Sequence, residues 1–354
     1  MQTWKSNWEE TQKRYLDWWN KKGLVLAMWE HMPKDGAPYE NVAAPTPARD
    51  LTQRWFDAEW RANELHYQMS RNSYAADVIP VANTQLGPGS LAGILGAELE
   101  AGPDTIWIKH RSDFGDDIIF DENNKWWQLH LSFLRACKQR AQGKYYVGMP
   151  DLVEGLDVLA SLKGSENVLM DMVMRPEVLD EQLKKINEIY FTVFDRLYDI
   201  INEGGEMAFC YFSIWAPDKC SKLQSDISIM FSEDDFRRFA QPYLREQCRR
   251  IPYTLYPLDG VGATRHLSAL LEIQELRAIQ WTPGVGEPQG GDPKWFDLYK
   301  KILAGGKSVM ANWVTLSELQ PLFDSVGTNG LHISIDCKTE REMEAAMKIV
   351  ERYR

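Results

Sequence analysis

Eight times along the chain, a short apolar run rich in β-branched and aromatic residues gives way to a loop and then to a helical pattern. The runs are Leu24–His31, Ala75–Ala82, Tyr145–Pro150, Met207–Ser213, Tyr253–Asp259, Ala278–Pro283, Ser308–Val314 and Leu331–Cys337. Such alternation builds parallel sheets, because each helix returns the chain across a sheet face to start the next strand at the same end. In 354 residues, eight units predict an α/β fold closed into a (β/α)8 barrel. The structural alternative, a doubly wound open sheet, would be favoured by a GxGxxG turn after the first strand. None is present.

Capping patterns place the helices. Ser6 and Glu9 have capping-box spacing, predicting an N-terminal helical extension ahead of the first strand. Leu51, Trp55, Ala58, Ala62, Leu65 and Met69 recur at intervals of three and four. Ser232/Asp235, Asp292 before Pro293, and Thr339/Glu342 open three later helices. Residues 104–144 exceed what a simple crossover needs. Asp113–Asp121 (DFGDDIIFD) reads as an excursion or hairpin at the barrel mouth, so an insertion is expected near 104–144. With no repeat, low-complexity tract or long linker, residues 1–354 read as a single barrel domain.

Charge narrows the function. Forty Lys+Arg against 51 Asp+Glu give a net charge of −11, which offers no general attraction for phosphate backbones. Nucleic acid is therefore not the expected partner, and a small molecule is. No apolar run approaches the roughly 18–20 residues that span a bilayer, and residues 1–20 show no secretory pattern. The five cysteines are odd in number and scattered, with no CxxC pair. That usage fits a reducing compartment and predicts a cytoplasmic protein.

In a (β/α)8 barrel, polar residues at the carboxyl ends of strands face a shared pocket. The strand list then yields Glu30 and His31, Asn83, Asp151, Ser213 with Tyr211, Asp259, Gln280 with Trp281, Asn312 and Cys337; the segment Leu223–Asp226 (LQSD) adds Asp226. Any one of these can equally be a hydrogen-bonded structural residue. Together they predict a site in which Asp226, Tyr211 and Asp259 carry the chemistry. Trp29, His31, Trp215, Gln280, Trp281 and Asn312 would bind substrate. Aromatic walls suit flat or methylated ligands and attract cations. Cys337 stands just before a capped helix, where the dipole favours a thiolate, although a buried free cysteine is commonly inert. His266, in the helix after Asp259, lies within reach of the site. No HExxH, P-loop, GxSxG or zinc-finger spacing occurs.

Three stretches resemble the uroporphyrinogen decarboxylase superfamily: LQSDISIMFSEDDFRRFAQPYLREQCRRI, YPLDGVGATRHLSALLEIQELRAIQWTPG and GLHISIDCKTEREMEAAM. The resemblance is specific from about Gln224 onward, and it also implies a (β/α)8 barrel. True decarboxylases of that family carry an Arg-rich N-terminal segment for a many-carboxylate substrate, whereas Leu24–Tyr39 contains no arginine. The chain looks more like the corrinoid-linked methyltransferase branch. That branch uses a His-x-Cys and a later Cys on zinc to turn a thiol into a thiolate. Here the three positions are Pro257, Asp259 and Cys337. A zinc set would therefore be Asp259, Cys337 and a third ligand such as His266 or Glu287.

The resemblance implies transfer of a methyl group between a small substrate and a corrinoid carrier protein or thiol, zinc-assisted if the metal is held. The methylcorrinoid would be borne by the partner. The alternative is a metal-free lyase or hydrolase using paired carboxylates such as Asp226 and Asp259, or a binding protein that has lost catalysis.

Overall fold

The computed structural model describes residues 3–28, 31–87, 89–111 and 114–354. Its strands are β1 (Leu24–Met28), β2 (Val81–Ala82), β3 (Glu98–Ala101), β4 (Ile106–Lys109), β5 (Tyr146–Met149), β6 (Met207–Phe209), β7 (Ile214–Ala216), β8 (Cys220–Lys222), β9 (Tyr253–Asp259), β10 (Ala278–Thr282), β11 (Ser308–Val314) and β12 (Leu331–Ile335). Six of them form a curled parallel sheet in the order β1-β12-β11-β10-β9-β8. A second sheet runs β2-β5-β6-β7, parallel except for the β6/β7 pair. Fully buried strands such as Leu24–Met28 and Leu331–Ile335 carry near-continuous apolar runs, as expected of a parallel sheet covered on both faces.

The two sheets meet at both edges. On one side the Asp77 N–H donates to the Leu26 carbonyl at 2.9 Å, and the Leu26 N–H donates to the Asp77 carboxylate at 2.9 Å. On the other, the Cys220 N–H reaches the Met207 sulfur at 3.2 Å. Close approach at β5 requires Gly148: a Cβ there would stand 2.5 Å from the Cys210 Cβ and 2.9 Å from the Ala82 carbonyl oxygen.

The N-terminal helix, Trp8–Trp19, buries Trp8, Thr11, Tyr15, Trp18 and Trp19 on one stripe. The Trp18 indole donates to the Val309 carbonyl at 3.2 Å and the Trp19 indole to that of Trp215 at 2.9 Å. The expected Ser6/Glu9 capping box is absent. Asn7 stands at the N-cap without a side-chain cap bond, because its amide donates to the Ala76 carbonyl instead. The caps at Ser232, Asp292 and Thr339 do form.

The expected excursion lies earlier than its sequence suggests. The antiparallel hairpin is β3–β4, Glu98–Lys109, while 114–121 contains no strand. The acidic run at 116–117 supplies ion-pair partners for Arg175 rather than cross-strand neighbours. Lys125–Ala141 is a long crossover helix, capped by the Asn124 side chain. Among the described residues, no helix is long and apolar enough to cross a membrane.

Candidate active site

Strand β8 ends in a lysine that no exposed position would explain. Lys222 is 3% exposed and forms an ion pair with Asp151, itself 1% exposed, just beyond the end of β5. Burying one charge costs several kcal/mol unless it is paired and hydrogen-bonded, so this pair marks a place where polarity is held on purpose. The Lys222 ammonium also donates to the Gln224 side-chain oxygen and lies 4.6 Å from the centre of the Tyr211 ring. The Gln224 amide in turn donates to the Asp226 carboxylate. A continuous polar chain therefore runs from Asp151 through Lys222 and Gln224 to Asp226.

These residues line a cavity of about 790 Å³ at the carboxyl ends of the strands. Asp259 closes β9 and faces Thr282 at the end of β10, with which it is in register. Gln280, fully buried, donates to the Thr282 hydroxyl at 2.7 Å and leaves its own carbonyl oxygen without a partner. Pro257, Tyr211 and Trp313 complete this wall, and Arg61 and Trp55 stand on another. Trp313 sits at the irregularity between Asn312 and Val314, with φ +51°. A bulky residue in the left-handed region costs roughly 1–3 kcal/mol and persists where surroundings hold it, often at functional sites.

The carboxylates crowd one another. Burial raises the pKa of Asp226, with Lys222 pulling the other way. Asp259 is raised by burial and then by the charge of Asp226. Both touch the solvent in the cavity while protein surrounds their other sides. Asp157 accepts the backbone N–H groups of Asp226 and Ile227 at 2.8 and 3.0 Å, which clamps the short 3₁₀ turn Asp226–Met230. Burial and then Asp226 push Asp157 up to about 7. Glu154 is raised as well, by burial and then by Asp157. One lysine thus answers several carboxylates, and the cluster retains protons that isolated acids would lose.

The structure brings Asp226, Tyr211, Asp259 and Gln280 to this one cavity. His31 lines an adjoining lobe of about 330 Å³ that shares Asn83, Tyr211 and Phe212 with the main cavity. Burial lowers its imidazole to about 4. Trp29 and Glu30 lie outside the described residues. The remaining expected residues stand elsewhere. Trp215 is buried on β7, where its indole donates to the Tyr146 hydroxyl at 3.0 Å. Trp281 packs edge-on against Trp295 in the core. Asn312 is fully buried and does not line the cavity. Alternation explains Trp281 and Asn312: each stands one position from a cavity-lining neighbour, Gln280 or Trp313, and so points to the other side of the sheet.

The metal set is not assembled either. His266 stacks on Phe236 at 4.6 Å and its Nε2 meets the Ser228 carbonyl at 2.8 Å, so it serves packing. Cys337 is buried away from the cavity lining. Burial, reinforced by Glu342 and Asp336, lifts its thiol to about 11, against the thiolate that its place before a helix suggested. Among the described residues, no group of three or more His, Cys, Asp or Glu side chains is placed to hold a metal ion. Asp259, Cys337 and His266 therefore do not fit zinc as a set.

No protein-family model matches the sequence, and no curated protein matches it. A solved structure does. A methyltransferase from Methanosarcina mazei aligns with a TM-score of 0.57 over 97% of this chain and 98% of that one, at 12% identity. At that identity the likeness is one of fold.

Lys222, Gln224, Asp157, Arg61 and Trp313 are site residues that sequence reasoning missed. In CSKLQSD the lysine looks like a solvated residue four positions before an acidic one. The available signal was Cys220-Ser221-Lys222 as a further strand end, because the rule that selected Asp259 selects Lys222 equally.

Proposed function

We propose that this chain is a methyltransferase acting on a small substrate in the Asp226–Asp259 cavity, built on a closed (β/α)8 barrel. The observation that carries the reading is the cluster of proton-retaining carboxylates around buried Lys222, at the strand ends where such barrels place their chemistry. The fold likeness to a methyltransferase supports it. Methyl transfer from a heteroatom leaves an electron pair on that atom, and a positioned acid lowers the barrier by protonating it. Asp226 or Asp259, each raised by burial, would supply such a proton, and Tyr211, raised to about 12 by burial and the nearby carboxylates, orients the heteroatom by hydrogen bonding. Lys222 fixes Gln224, and through it Asp226.

The methyl acceptor in this reading is a corrinoid on a carrier protein, or a thiol. Bound corrinoid would supply the cobalt that exchanges the methyl group. Trp107, Ile229, Met230 and Val261 expose apolar surface near the mouth, and Trp107 and Met230 line an outer lobe of about 560 Å³ that shares Asp226 and Gln224 with the main cavity. That rim suits a large apolar macrocycle. No step runs through zinc.

The test is a methyl-transfer assay with methylcobalamin and with a panel of thiols and methylated compounds, following the cobalamin spectrum. Asp226→Asn and Asp259→Asn should each lower kcat by about 10²–10⁴-fold, the range of a lost general acid. Full activity in both variants would refute the assignment. A second reading, a decarboxylase-like lyase, draws on Lys222 as a cation at the cavity wall. It predicts release of carbon dioxide from carboxylic substrates with no methyl acceptor present.

A further inference from the structure

The cavity's own cations are already engaged, and two of its carboxylates are not. Lys222 is committed to Asp151 and Gln224. Arg61 donates to the carbonyls of Trp55 and Gln85 and covers the Phe133 ring at 4.3 Å. By contrast, Asp259 makes no side-chain hydrogen bond or ion pair among the described residues, and Asp226 uses one oxygen, on Gln224. Beside them the fully buried Gln280 carbonyl oxygen lacks a donor. A buried acceptor without a donor is costly, and a ligand donor would recover that cost. Two carboxylates with oxygens to spare and the Gln280 side-chain oxygen thus belong to one cavity.

We propose that this wall recognises an organic ammonium group, with Asp226 and Asp259 as counter-ions and the Gln280 carbonyl accepting one of its N–H groups. The substrate class is a small protonated amine, including N-methylated amines that keep at least one N–H. The inference rests on the same cavity as the proposed methyl transfer and deepens that reading: in the bound ammonium the proton a carboxyl would supply already sits on nitrogen, so the amine leaves neutral and both carboxylates stay ionised. Asp151, Asp157, Glu154 and Lys222 surround the pair, and burial raises the pKa of both Asp226 and Asp259. Amine binding therefore weakens as pH falls and Asp226 and Asp259 become protonated.

Isothermal titration of the full chain with isopropylammonium, isopropanol and isobutyrate tests this without any catalytic assay. Isopropylammonium should bind and the other two should not. Titrations at successively lower pH should show that binding weakens. Asp259→Asn should weaken binding about tenfold or more, the loss of one charge-assisted hydrogen bond, and Asp259→Glu should retain most of it. Asp259 lies at the solvent of the cavity, so neither change threatens folding, and a thermal melt checks that. Isobutyrate binding as tightly as the ammonium would overturn the proposal. So would an absence of ammonium binding at about 10 mM, a level weaker than the roughly millimolar affinity that −4 kcal/mol provides. Ammonium binding without methyl transfer would instead refute the transferase reading alone. Methyl transfer from neutral or anionic compounds, without ammonium binding, would refute this inference alone.

Discussion

Lys222 can be charged at 3% exposure because Asp151, the Gln224 carbonyl and the Tyr211 ring replace the water it gave up. Removing it strands Asp151 in a site without solvent. Lys222→Met should therefore cost about 3–5 kcal/mol in urea denaturation, the range for breaking a buried pair from one side. Adding Asp151→Asn should return much of that loss. A pair that merely decorated the surface would cost under about 1 kcal/mol and show no such rescue. Asp77 follows the same logic at the other end of the strands, holding Arg14, Arg354 and the Leu26 N–H at once. Asp77→Ala should be among the most destabilising single changes, at about 3–5 kcal/mol, measurable by the same titration.

At the scale of elements, two local devices shape the cavity. The bulge at Trp313 turns a side chain toward the pocket at the cost of left-handed backbone. Trp313→Gly should be more stable than Trp313→Ala by about 1 kcal/mol, because only glycine adopts that φ without strain. Both should lose ligand affinity alike; equal stability of the two would show that the backbone there is unstrained. The 3₁₀ turn Asp226–Met230 is pinned by Asp157, whose folded pKa of about 7 exceeds its ordinary value near 3.9. A raised acid binds more protons folded than unfolded, so its contribution is full below about pH 4 and declines as pH rises to about 7. Asp157→Asn should flatten stability between pH 5 and 8, read as urea midpoints.

Across the molecule, burial disfavours the charged form most at three of the described histidines: His130 and His332 in the core and His31 at the cavity edge. Burial lowers His31 and His130 to about 4 and His332 to about 3. Each folded pKa lies below the ordinary value near 6.5. Their stabilisation is therefore present above pH 6.5 and is lost as pH falls toward 4 and 3. Between pH 6 and 4 the unfolding free energy should drop with a slope approaching three protons, opposed in part by the carboxyl cluster. A shallow slope, under one proton, would mean that the histidines reach solvent. His130 and His332, at 1% and 0% exposure, ionise only as the packing around them opens.

Periodicity alone determined the order of strands and helices, since burying apolar residues on alternating β and α patterns admits few arrangements. Seven of the eight expected runs hold a strand of three or more residues within them, and the eighth, Ala75–Ala82, narrows to Val81–Ala82. The strand-end rule likewise selected Tyr211, Asp259 and Gln280, and the LQSD segment added Asp226, all four of which line the cavity, because polarity at those positions is readable one residue at a time. What tertiary structure decided was pairing. That Lys222 meets Asp151 across 71 residues of chain, that Trp215 and Trp281 face the core, and that Cys337 and His266 stand apart from Asp259 all depend on packing direction. Side-chain direction turns on a single residue of register and distance on how the two sheets pack, and neither leaves a trace in local sequence.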